Sequence, residues 1–119
     1  MSYDLNFWCY ADEAQQRSQK DHLQTYRDLC VGNPPVGLVE LPVGAVRGKL
    51  DETFADWTPD SLGWEKDDVF IELTQTDHWV RFDLRGPWNG YHANPLIDVM
   101  AAFGCPLFDP QTGERFSLG

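Results

Sequence analysis

The chain is poor in basic residues and contains no long apolar run. Its 119 residues include 9 Lys and Arg against 19 Asp and Glu, which gives a net charge of −10. Because nucleic-acid backbones are bound mainly through Lys and Arg, this balance argues against a nucleic-acid partner. No segment approaches the roughly 18 consecutive apolar residues that a bilayer span requires, so we expect no membrane partner.

Cysteine is also scarce, and the N-terminal residues carry no export signal. The three Cys residues are widely spaced and include no CxxC pair, which indicates reduced thiols rather than a disulfide framework. The opening segment Met1-Ser2-Tyr3-Asp4-Leu5 lacks the basic and apolar regions of a secretory signal. We therefore expect a cytoplasmic protein.

Motifs for catalysis, metals and cofactors are missing as well. The histidines His22, His78 and His92 form no close pair of the kind that seeds a zinc site. The glycines fit neither GxGxxG nor the P-loop pattern, so no nucleotide cofactor is expected. Cys9 and Cys105 are candidate nucleophiles, but their apolar sequence neighbours favour core packing. We expect a non-catalytic protein without a metal or a cofactor.

What the sequence does contain is enough apolar material for one core. Apolar residues make up 42% of the chain, and five Trp, seven Phe and four Tyr can supply much of the buried area. The length and the lack of a linker predict one α+β domain over residues 1–119.

Hydrophobic periodicity predicts strands and helices in alternation. Period-two patterns indicate a first strand, a central hairpin and short strands near the end of the chain. Helical spacing and turn residues indicate three helices, the first starting near Asp12 with Gln15 as capping-box partner and the last starting at Asn94. The predicted strands are 3–10, 69–74, 79–84, 105–108 and 114–118. The predicted helices are 12–31, 43–57 and 95–103. Residues 58–67 are predicted to form an irregular acidic loop.

This order of elements matches a split βαβ, or ferredoxin-like, arrangement. We expect a two-layer sandwich in which helices cover one face of an antiparallel sheet, with an inserted helix and the acidic loop between the first helix and the hairpin.

The other face of such a sheet is predicted to carry aromatic and charged side chains. An open face of this kind suits a small ligand-binding domain or enzyme, or a homodimer that covers it. In the alternative arrangement, the inserted helix folds over this face and Trp8 and Trp79 become core residues. The candidate ligand-binding residues are Trp8, Tyr10, Phe70, Glu72, Trp79 and Arg81.

Acidic residues are concentrated in the middle of the chain. Nine carboxylates lie between Asp51 and Asp77, against Lys66 as the single base. Charge concentrated in this way attracts cationic partners, and nearby aromatic side chains can anchor a protein interface. The candidate partner-binding residues are Asp56, Trp57, Asp60, Trp64, Glu65, Asp67 and Asp68.

The two ends of the chain carry recognisable motifs. The first strand, Tyr3-Asp4-Leu5-Asn6-Phe7-Trp8, and the turn Asp109-Pro110-Gln111-Thr112-Gly113 resemble those of a group of small acidic bacterial proteins with YDLxFW and DPQTG motifs. Some members of this group are similar to immunity proteins encoded beside toxins. The resemblance implies an immunity protein that neutralises a cognate toxin, and the acidic middle of the chain predicts that this toxin is basic. Asp109 is expected either to bond the turn amides or to contact a partner.

Overall fold

The computed structural model, which describes residues 3–116, shows a small α+β protein with three helices and seven strands in that range. The helices are α1 (Gln19–Cys30), α2 (Val43–Thr53) and α3 (Gly90–Ala102). The strands are β1 (Tyr3–Phe7), β2 (Thr58–Pro59), β3 (Gly63–Lys66), β4 (Val69–Thr76), β5 (Trp79–Arg85), β6 (Leu107–Asp109) and β7 (Glu114–Arg115).

All seven strands join one antiparallel sheet in the order β2-β3-β4-β5-β1-β6-β7. The register places Leu5 opposite Phe82 and Phe7 opposite Val80. Because side chains alternate between the faces of a strand, these four residues share one face. The predicted central hairpin is confirmed as β4 and β5. Short strands are also present near both predicted C-terminal positions, although β6 begins at Leu107 and β7 ends at Arg115; residues 117 and 118 of the last predicted strand lie outside the described range.

Helices cover both faces of the sheet. The face with Leu5 and Phe7 packs against α2 and α3 through a core that includes Val46, Leu50 and Leu96. On the opposite face, α1 lies over a second apolar cluster. The prediction that helices cover one face only is therefore wrong. Members of the second cluster are Trp8, Tyr10, Leu29, Trp79 and Phe108, with Leu23, Tyr26 and Leu38 packed against it.

Two helix starts differ from the sequence prediction because other capping residues are used. Helix α1 begins after Ser18, whose side chain accepts from the Asp21 amide, and the Asp21 side chain accepts from the Ser18 amide. Helix α3 begins after Asn89, whose side chain accepts from the Tyr91 amide. These caps satisfy free amides of the first turn. Pro95 consequently lies inside α3 rather than at its start.

The segment predicted as an irregular acidic loop contains two strands. β3 pairs with β4 along its four residues, and β2 pairs with β3 at the end of the sheet. The prediction failed because strands of two and four residues are too short to show a clear period-two pattern.

The DPQTG turn is held by Asp109. One carboxylate oxygen accepts from the Gln111 amide at 2.9 Å, and the other accepts a hydrogen bond from the Tyr3 hydroxyl. Asp109 is only 8% exposed. The predicted bond to a turn amide is thus confirmed.

Candidate functional site

The aromatic part of the proposed ligand face is closed by α1. Trp8, Tyr10 and Trp79 are at most 6% exposed, and all three belong to the cluster beneath that helix. The Trp79 indole donates to the Asn6 side chain at 2.9 Å. The sequence left open whether this face is exposed or covered by a helix, and the structure shows it covered. The covering helix is α1, whereas the sequence suggested the inserted helix α2.

Arg81 is engaged within the sheet. Its guanidinium donates to both carboxylate oxygens of Asp83 at 3.1 Å and lies 3.8 Å from Asp4. Burial lowers the pKa of this guanidinium, but the bonds to Asp83 and the charge of Asp4 outweigh it and raise the pKa. Arg81 therefore neutralises two carboxylates of the same protein, Asp4 and Asp83, and is not free to bind a ligand.

Tyr10 lies at the centre of a polar cluster at the other end of α1. The Arg17 guanidinium stacks 3.7 Å from the Tyr10 ring centroid, and the Tyr10 hydroxyl lies 3.0 Å from His22 Nδ1. Arg115, with a side chain only 6% exposed, bonds both carboxylate oxygens of Glu13. A cavity of about 330 Å³ adjoins the cluster. Arg17 donates to the Asp12 and Gln15 carbonyls, and Arg115 on β7 bonds Glu13, so the cluster chiefly joins the segment before α1 to β7.

Burial and the two arginines set the protonation of this cluster. Burial lowers the pKa of His22, and the nearby Arg115 and Arg17 charges lower it further. Burial raises the pKa of Glu13, but hydrogen bonds from Arg115 and from the Tyr10 amide lower it overall. A neutral imidazole therefore faces an ionised carboxylate bound to arginine.

The nine central carboxylates do not form a single surface. Asp51 and Glu52 lie on α2 and pair there with Arg47 and Lys49. Asp77 lies at the β4–β5 turn, at the opposite end of β4 from the β3–β4 turn. This part of the negative charge is dispersed, contrary to the expectation of one acidic patch.

The other six carboxylates surround β3. Asp56 pairs with Lys66 at 2.5 Å, and Glu72 pairs with Arg85 at 3.0 Å. Among the residues the structure describes, the remaining four form no ion pair. We call residues 56–70, together with Tyr91 and His92 at the start of α3, the acidic corner. Its unpaired carboxylates are Asp60, Glu65, Asp67 and Asp68.

Strand β3 separates the core side of the acidic corner from its solvent side. Trp64 pairs with Ile71 and points toward α2, where it is 2% exposed and packs on Phe54. Glu65 points to the opposite face, beside Phe70. The expectation of Trp64 as a surface anchor is therefore wrong. The sequence reading had placed Trp64 in a loop, where alternation could not assign it to a face.

Asp67 and Asp68 form the two-residue turn between β3 and β4. Their φ angles are 52° and 66°, a left-handed conformation that non-glycine residues adopt only occasionally. Positive φ at both central residues is the type I′ geometry that suits a two-residue hairpin. The turn projects both carboxylates into solvent at the end of the hairpin.

Asp60 forms the preceding turn, between β2 and β3. Its Oδ1 accepts from the amides of Leu62 and Gly63 at 2.6 and 2.9 Å. These two bonds fix the turn, in which Leu62 is 59% exposed. Phe70 on β4 is 40% exposed. Both apolar side chains line a cavity of about 180 Å³. Asp60 thus contributes charge and also positions an apolar neighbour.

A second depression lies on the α3 side of the acidic corner. Trp57 packs on His92 with ring centroids 5.9 Å apart, and Tyr91 is 87% exposed beside them. The depression measures about 370 Å³ and is also lined by Asp56 and Asp67. Sequence reasoning missed Tyr91 and His92 because their position depends on where α3 begins.

Comparisons with known proteins identify no similar protein. The chain matches no protein-family model, no curated protein and no solved structure. Within residues 3–116, no helix is long and apolar enough to cross a membrane. In the same range, no three His, Cys, Asp or Glu side chains are grouped so that they could hold a metal ion.

Proposed function

We propose that this protein is a cytoplasmic immunity protein that binds and neutralises a basic bacterial toxin through the acidic corner. The observation that carries the proposal is a set of four unpaired carboxylates next to exposed apolar side chains: Glu65 on β3, Asp60 in the turn before it, and Asp67 and Asp68 in the turn after it. Strand β3 sets these two turns about 13 Å apart at the usual rise of a strand. A surface of that size suits the basic face of another protein.

Charge and apolar contact have different roles in this proposal. Carboxylates that lack an internal cation retain their attraction for a partner's Lys and Arg side chains, which speeds association. Leu62 and Phe70 then supply apolar area that is released from water in the complex. Trp57 and Tyr91 offer ring faces to a cation in the second depression.

We also infer that the fold contains a ferredoxin-like core. Strands β4-β5-β1-β6 stand side by side, and α2 and α3, which connect strands of this group, cover one face. In this interpretation α1, β2, β3 and β7 are additions to that core. The acidic corner then belongs chiefly to the added strands β2 and β3.

The test compares two triple variants with equal loss of charge. Glu65→Gln, Asp67→Asn and Asp68→Asn remove three carboxylates from the acidic corner without changing side-chain shape, and Asn tolerates positive φ. The matched control, Asp51→Asn, Glu52→Gln and Asp77→Asn, removes three carboxylates elsewhere. The probe is the purified, inactivated product of the toxin-like reading frame adjacent to this gene.

Association with that probe is measured by surface plasmon resonance at several salt concentrations. We expect the acidic-corner variant to bind about tenfold more slowly and with a weaker salt dependence. The control should bind like wild type. Equal effects of both variants, or no binding of the probe to wild type, would overturn the proposal.

The alternative function, a small-molecule site on the aromatic sheet face, has less support. Trp8, Tyr10 and Trp79 are core residues beneath α1. Of the other members of that face, Phe70 belongs to the acidic corner and Glu72 borders it, and both fit its proposed protein-binding role.

A further inference from the structure

Two cysteines that are 96 positions apart in the sequence meet at the end of β1. Cys9 Sγ and Cys105 Sγ are 3.6 Å apart. The β1–β6 register pairs Asn6 with Phe108 and Phe7 with Leu107. Both cysteines lie two positions beyond these paired residues, Cys9 after β1 and Cys105 before β6. The paired strands therefore bring the two chain segments close together.

The chain turn after α3 brings Cys105 to this position. Gly104 has a φ of +79°, and the Cys105 amide donates to the Met100 carbonyl at 2.9 Å. The Gly104 amide donates to Ala101, which completes a Schellman ending of the helix. The Gly104 carbonyl lies 2.6 Å from Cys9 Sγ. This hydrogen-bonded turn fixes Cys105 beside Cys9.

We propose that Cys9 and Cys105 form a reversible disulfide when the protein meets a hydroperoxide. A disulfide requires an S–S distance of about 2.05 Å, so the sulfurs must approach by about 1.5 Å. Side-chain rotation can supply most of that approach. This inference does not depend on the proposed toxin binding.

The two cysteines have different roles in the oxidation. Cys9 is partly exposed, whereas Cys105 is buried. The Cys9 thiolate attacks the peroxide, breaks the O–O bond and becomes a sulfenic acid, while the peroxide leaves as water or an alcohol. The Cys105 sulfur then attacks the Cys9 sulfur, loses its proton and releases water. The two thiols are oxidised by two electrons in total, and the peroxide is reduced.

The protonation of the pair supports these roles. The hydrogen bond from the Cys105 thiol is the largest effect and lowers the pKa of Cys9, although burial and the Glu13 charge oppose it; the Arg115 charge adds a smaller lowering effect. The same hydrogen bond and burial raise the pKa of Cys105. Cys9 is thus the member of the pair that ionises first.

The test treats folded protein with hydrogen peroxide and measures intact mass, free thiols and linked peptides. Wild type should lose about 2 Da, the mass of two thiol hydrogens, and a reductant should restore it. Peptide mapping should link Cys9 to Cys105. Cys30, which is exposed and remote in sequence, provides the control: Cys30→Ser should oxidise like wild type. Oxidised Cys30→Ser should also melt at a higher temperature than its reduced form.

Two single variants complete the experiment. Cys105→Ser should accumulate a sulfenic acid at Cys9 that a dimedone probe labels, and Cys9→Ser should form no intramolecular bond. The proposal is overturned if wild type keeps its three free thiols under peroxide, or if the bond that forms includes Cys30. Both decisive outcomes use wild type or Cys30→Ser, so they do not depend on the folding of the other variants.

Discussion

The Tyr3 hydroxyl on β1 donates a hydrogen bond to the Asp109 carboxylate on β6, and this bond joins the two sequence motifs of the chain ends. The same carboxylate bonds the Gln111 amide, so Asp109 connects the first strand to the DPQTG turn. In this fold the two motifs therefore form a single structural unit. The bonds of Asp109 give this residue a structural role that requires no contact with a partner.

Removal of the Tyr3 hydroxyl should weaken this unit in a pH-dependent way. Burial, followed by the hydrogen bond and charge of Asp109, raises the pKa of Tyr3 from 10.0 to about 12. The folded state therefore favours the protonated phenol, and its stabilisation is complete below pH 10 and disappears as pH rises to about 12. At neutral pH, Tyr3→Phe should cost about 1–3 kcal/mol because Asp109 loses a donor.

The measurement is urea unfolding of wild type and Tyr3→Phe at a series of pH values. Wild type should lose stability more steeply than the variant above pH 10, so the two curves converge. Curves that stay parallel across that range would show that Tyr3 ionises equally in the folded and unfolded states, so that folding does not raise its pKa.

Replacement of the two tryptophans of the acidic corner by alanine should have unequal effects on stability, because one ring lies in the core and the other at the surface. Trp64 is 2% exposed in the core, whereas Trp57 is half-buried at the depression beside Tyr91. Trp64→Ala should reduce the free energy of unfolding by about 3–5 kcal/mol, the usual cost of removing a large core ring. Trp57→Ala should cost clearly less. Chemical denaturation measures both, and equal losses would contradict the assignment of Trp57 to the surface.

The β3–β4 turn should gain stability when its aspartates are replaced. Asn-Gly is the preferred pair for type I′ turns, and glycine removes the steric cost of positive φ at position 68. We expect Asp67→Asn with Asp68→Gly to stabilise the protein by about 1 kcal/mol. Asp77→Asn, in the other hairpin turn, should change stability by less than about 0.5 kcal/mol.

The midpoint of urea unfolding decides this prediction. A gain would indicate that Asp67 and Asp68 are retained at a cost to stability, as expected for side chains that serve binding. A loss of stability would mean that their carboxylates make stabilising contacts in the turn.

The sequence predicted the elements whose signals are local. The β4–β5 hairpin follows from strict alternation, with Val80, Phe82 and Leu84 on one face. The end of α1 follows from Gly32, which adopts a φ of +77°. In these segments the hydrophobic period and the turn residue indicate the same structure, so no distant contact is needed.

The start of α1 shows where local signals were insufficient. Asp12 with Gln15 and Ser18 with Asp21 are both plausible capping pairs, and the fold uses the second. Glu13 instead bonds Arg115, which lies 102 positions away. That long-range contact keeps the first pair outside the helix, and no local pattern encodes it.

The candidate site could be predicted only in part, because some of its residues are placed by long-range contacts. Asp67 and Asp68 are exposed, as expected for candidate partner-binding residues, because adjacent carboxylates are usually solvated. Trp64, Tyr91 and the Cys9–Cys105 contact depend on strand register and on the placement of α3. Which sheet face a helix covers is likewise a property of the whole chain.

The brevity of β2 limits the ways in which another molecule can attach to that side of the sheet. β2 has two residues, and Pro59 has no amide hydrogen to donate. A foreign strand laid along this edge would find almost no backbone partners, so sheet extension and fibre growth are disfavoured there. The proposed contact of a partner with this edge would therefore use side chains rather than backbone hydrogen bonds.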